Sequence, residues 1–123
     1  MKPRDTALRL KRFEASEKAR KVASIETMII DLEHIAADLA RQIAAEEERT
    51  GVRDPAHFAY STFAKAAGLR RRNLLTSVDD LKAKLDAARR EHDEAVLELK
   101  KLEPAEPRDS DRQNGTRPTV AAP

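Results

Sequence analysis

Three histidines, His34, His57 and His92, and four serines, Ser16, Ser24, Ser61 and Ser77, are the side chains with the most obvious chemical uses. Asp31 and His34 stand three apart, the spacing at which one helical turn presents two metal ligands. A carboxylate-bridged metal site needs a second such set, and the sequence has none. No serine has a histidine in a setting that would make it a nucleophile, and no glycine-rich loop is present to cradle a phosphate. Arg70-Arg71-Arg72 and the basic first 21 residues could neutralise nucleic-acid phosphates. Yet the net charge is only +2, and no aromatic set accompanies the cations for base stacking. The chain therefore reads as non-enzymatic, without metal or cofactor, and with no nucleic acid among its expected partners. What remains for it to do is bind protein.

The residues that would position any binding surface are regular. Val22, Ile25, Ile29, Leu32, Ala36, Leu39 and Ile43 step alternately by three and four, the repeat of a coiled-coil seam. Val78, Leu81, Leu85, Ala88, His92, Ala95, Leu99 and Leu102 repeat it, with His92 the one polar member. Glycine, which ends helices in the left-handed conformation, stands between the runs at Gly51. The fold class is all-α: two long helices in an antiparallel coiled-coil hairpin. Helix 1 is expected over about 5–50, capped by Asp5 or Thr6, and a turn over about 51–54. Asp54-Pro55 has the cap-then-proline pattern of a helix start, which places helix 2 over about 55–103. Together 1–103 form one domain. The proline-rich segment 104–123 has too little to bury to offset the cost of ordering and is expected to be a disordered tail.

Charge decides the direction of pairing. Residues 1–21 carry +5, 22–50 carry −5 and 53–75 carry +4. Folding back at Gly51 lays the acidic block along the second basic one, whereas a parallel pair of chains would set like against like. Facing residues then sum to about 107, which sets Ile29 opposite Val78 and Val22 opposite Leu85. The weak layer is Ala36 opposite Arg71, close to Gly68, and the stretch 64–72 is the place to bend or to be completed by something else.

Composition bounds the rest. With 37% charged residues, no tryptophan and four aromatics, there is material for a solvated rod but not for a wide core. Such a hairpin is marginal alone. No cysteine is present, and no apolar run approaches the ~20 residues of a membrane span. The start lacks the apolar stretch of a signal peptide, so a cytoplasmic location is expected. Three of the four aromatics, Phe58, Tyr60 and Phe63, cluster within six residues. They either close the top of the hairpin or form an adhesive patch on it.

The basic start Leu10-Lys11-Arg12-Phe13, the turn from Glu48 through Gly51, Asp54-Pro55 and Phe58 to Tyr60, and the long helix after it resemble the FliJ family. These are small coiled-coil proteins of the bacterial flagellar type III export apparatus. The resemblance covers about residues 1–103. It implies an antiparallel coiled coil shaped like the stalk of a rotary ATPase. The end holding the termini enters the export ATPase ring and promotes its assembly, and another surface meets the membrane export gate. A chaperone-escort role for export substrates belongs to the same picture, as does a place at the flagellar base, peripheral to the inner membrane. Carried onto this chain, Arg9, Lys11 and Arg12 match the ATPase-facing element. Tyr60 and Phe63 match a tyrosine–phenylalanine pattern of the gate-binding surface, with later contacts at Ala67, Arg70 and Leu74. Arg70 stands where the family has a small or apolar residue. The alternative is a stand-alone coiled-coil chaperone or a basic nucleic-acid-associated scaffold.

Overall fold

In the computed structural model, which describes residues 3–103, the chain is two helices and no strand. The segment 104–123 lies outside the described residues. Helix α1 spans Pro3–Thr50 and α2 spans Thr62–Leu102. α1 therefore starts at Pro3 rather than at residue 5. Proline suits the first helical turn because its missing amide hydrogen has no partner there, and Asp5 in that turn complements the helix dipole. Its 48 residues give a rod of about 72 Å at ~1.5 Å per residue.

Gly51 ends α1 with φ +77°, and its amide donates to the Glu47 carbonyl at 2.8 Å. An alanine there would be strained by that φ alone. α2 does not start at Pro55. The Asp54 carboxylate accepts the Ala56 amide at 2.9 Å, and the Asp54 carbonyl accepts the His57 amide at 2.9 Å. The His57 ring nitrogen Nδ1 takes the Ala59 amide at 2.9 Å, and the His57 carbonyl takes that of Tyr60 at 3.0 Å. Successive amides are thus captured by local turns before a helical ladder can form. The cap proves to be Ser61, whose hydroxyl accepts the Ala64 amide at 3.1 Å.

The helices pack along the expected seam. Ile25, Ile29, Val78, Leu85 and Ala88 form the central cluster, with Val22, Leu32 and Leu81 against it. Ala15, Ala36, Leu39, Ala64 and Ala67 are also buried. Ile43, His92, Ala95, Leu99 and Leu102 are half-buried. Among the described residues no large side chain is fully enclosed, as expected of two helices that shield one stripe each. α2 runs through 64–72 without a break. Small residues let the helices meet there, while the Arg71 Nε is buried with no hydrogen-bond partner among the described residues. Ion pairs confirm the antiparallel order. On one flank Arg12 pairs with Glu103, Glu26 with Arg89 and Glu33 with Lys82, at 3.9, 3.0 and 3.7 Å. Both members step by multiples of seven, in opposite directions. On the other flank Lys18 and Lys21 share Glu91 at 3.2 and 3.3 Å. Such exposed pairs are worth about 0–1 kcal/mol each, so they set orientation while the apolar seam holds the fold.

Candidate docking surfaces

The loop end of the hairpin is stitched together by carboxylates of α1. Glu46 accepts from the Arg49 guanidinium at 2.8 Å and from the Ser61 hydroxyl at 2.5 Å. Tyr60 donates its phenolic hydrogen to Glu47 at 2.6 Å. The Arg49 hydrogen bond, followed by that of Ser61, holds the Glu46 carboxyl down at about 2. The bond to Glu47 pushes the Tyr60 phenol above its ordinary range, so it stays a donor. A carboxylate whose folded pKa is depressed stabilises fully above its unfolded value, and that contribution fades as pH falls toward about 2. The melting temperature of the wild type should thus exceed that of Glu46→Gln at neutral pH. In thermal melts the gap should narrow as pH is lowered to ~2. A gap independent of pH would mean that the charge on Glu46 plays no part.

This stitching separates the aromatics. Tyr60 is half-buried and turned to α1, whereas Phe63 is 53% exposed on the first turn of α2. Phe58 is 96% exposed, stacked on the His57 ring at 4.7 Å between centroids, at the tip of the hydrogen-bonded loop. The cluster neither caps the hairpin nor forms one patch. Tyr60 fastens the loop, and the two phenylalanines are displayed.

Phe63 does share a surface with the residues downstream of it. Phe63, Ala66, Ala67 and Arg70 of α2 and Leu39 and Gln42 of α1 line a hollow of about 200 Å³ between the helices. Ala67 forms its buried floor, Arg70 an exposed rim, and Leu74 is half-buried one turn on. A Phe63-Ala67-Arg70-Leu74 stripe is what a 3.6-residue repeat produces on one helix face. Of the α1 wall, Leu39 belongs to the seam read from the sequence, and Gln42 does not. Its signal is the seven-residue step Met28, Ile35, Gln42 on the seam's flank, of which Met28 and Ile35 remain 42% and 38% exposed. Tyr60 lies apart from this hollow and lines another, with Pro55, Ala64, Lys65, Gly68, Leu69 and Arg72.

At the opposite end, Arg9 is exposed and has no ion-pair partner among the described residues. Lys11 is held by Glu14 at 3.4 Å and Arg12 loosely by Glu103 at 3.9 Å. Phe13 and Leu10 beside them are 61% and 53% exposed. The chemically suggestive residues do not converge. His34 is exposed on the outward face, and His92 sits half-buried in the seam beside Asp93 at 3.4 Å. Ser16, Ser24 and Ser77 are exposed, and Ser61 is engaged as a cap. Among the described residues no group of histidines and carboxylates is placed to hold a metal, and no helix is long and apolar enough to cross a membrane. No family model, curated protein or solved structure matches this chain.

Proposed function

We propose that this chain is a non-catalytic rod of a flagellar type III export apparatus, linking the ring of the export ATPase to the membrane export gate. Export substrates or their chaperones are further partners in this reading. Its site of action is the cytoplasmic side of the flagellar base, peripheral to the inner membrane. The observation that carries it is the hollow at the loop end. There Phe63, Ala67 and Arg70 meet Leu39 and Gln42, a helix length away from the basic start of α1. A stiff rod with one docking surface at each end suits a linker between two machines. Support also comes from the resemblance of the start and of the turn.

The test is binding of the full chain to purified export ATPase and to the soluble domain of the gate. Arg9→Glu with Arg12→Glu should abolish stimulation of ring assembly, because cations there pair with acidic ring loops. Gate binding should survive that change. Phe63→Ala should weaken gate binding about ten-fold or more, as loss of an aromatic anchor does. Phe63 is half exposed, so that variant should lose under ~1 kcal/mol of stability. Absence of binding to both proteins would remove the reading. Salt-sensitive binding to mixed-sequence DNA in its place would favour a nucleic-acid scaffold.

A further inference from the structure

The outward face of α2 carries a stripe that changes sign once. Lys65, Arg72, Asp79 and Asp86 follow one another every seven residues, so they lie on one line along the helix. All four are exposed, and none has an ion-pair partner among the described residues, although Lys82 and Arg89 nearby are engaged by α1. Reversed end to end, the stripe presents the opposite charge at every position. Lys65 then meets Asp86, and Arg72 meets Asp79. The centre of that reversal falls between Leu75 and Thr76, and on the exposed side of it the Thr76 hydroxyl is already bonded to the Arg72 carbonyl at 3.1 Å. Beside the basic half lies an apolar hollow of about 330 Å³, lined by Thr62, Lys65, Ala66, Leu69 and Arg72, with Leu69 53% exposed. The same reversal brings the small residues Ala83 and Ala87 over it.

We propose that this face of α2 pairs antiparallel with the same face of a second copy of the chain, about a two-fold axis between Leu75 and Thr76. The self-complementary charge stripe selects the partner, since only an antiparallel copy matches all four positions. Two-fold pairing is also the commonest closed symmetry of soluble oligomers. Leu69 is the one large apolar side chain on the outward line of residues 62–90, so the dimer is weak and salt-sensitive. It covers neither the loop tip nor the start of α1 and, of the residues lining the Phe63 hollow, takes in Ala66 alone, so it goes beyond the proposed linker role without depending on it.

The full chain has no cysteine, which makes the test direct. Sedimentation equilibrium should show a monomer–dimer equilibrium in the micromolar range, shifted toward monomer by salt. Thr76→Cys should form a disulfide dimer under mild oxidation, whereas Ser24→Cys, outward on α1, should not. Arg72→Asp should weaken the dimer about ten-fold. Adding Asp79→Arg to it should restore the affinity, because the swap rebuilds both pairs. Circular dichroism of each variant checks that the helices persist. A chain that stays monomeric throughout overturns the proposal. So does a dimer indifferent to Arg72→Asp, or one that the charge swap fails to rescue.

Discussion

Replacing Val78 by aspartate should unfold the hairpin. Val78 is 2% exposed and belongs to the apolar cluster of Ile25, Ile29, Leu85 and Ala88. An isolated carboxylate placed there either stays charged and unpaired or takes up a proton, and both cost several kcal/mol. Small domains hold only about 5–15 kcal/mol in total, and a two-helix rod with no fully enclosed large side chain falls toward the bottom of that range. The helical signal in circular dichroism should therefore drop sharply at 25 °C. His34→Asp, exposed on the outer side of α1, should leave it nearly unchanged. Equal losses in the two variants would mean that the helices hold by propensity, without the seam.

The second large effect has the opposite sign. Arg71→Leu should stabilise the protein. Arg71 occupies the seam position that the register sets opposite the buried Ala36, and its Nε is shut off from water with no acceptor among the described residues. A desolvated, unpaired donor costs about 1–3 kcal/mol, and leucine would remove that cost while adding apolar contact to the thinnest layer of the core. The urea midpoint should rise with an unchanged denaturant slope, the signature of a gain in native-state stability alone. A fall in the midpoint would show that the Nε finds an acceptor in solution.

Both predictions draw on features that the sequence showed in part. The seam, its register and the Ala36–Arg71 layer follow from a three–four repeat and a helix-ending glycine, because a two-helix packing has few ways to bury one stripe. The start of α2 was less legible. Asp54-Pro55 has the form of a cap, but Asp54 and His57 satisfy the following amides locally, and Ser61 takes over the capping role. Competition between a side-chain turn and a helical turn is decided by geometry that residue types do not specify. The split of the aromatic cluster was hidden for a related reason. Tyr60 is drawn inward by Glu47, thirteen positions away along the chain, a contact that exists only once the loop has closed. Phe58, by contrast, gains nothing by turning in, since the two-helix seam ends short of it.

The stitched loop has a consequence for how the rod comes into being. In a hairpin whose facing positions keep a constant sum, contacts next to Gly51 join residues close in sequence, and each layer farther out closes a longer stretch of chain. Loop-closure entropy rises with that length, so assembly favours the loop end and zips toward the termini. Glu46, Glu47, Tyr60 and Ser61 lie where such a zipper starts. Opening follows the reverse path. Amide hydrogens near Arg9 and Leu99 should exchange fastest with solvent, while those nearer the loop, around Ile43 and Leu74, should persist longer. The end that carries Phe58 and Phe63 is then the firm one. The basic start of α1 is the pliable one, free to part and re-close around whatever it enters.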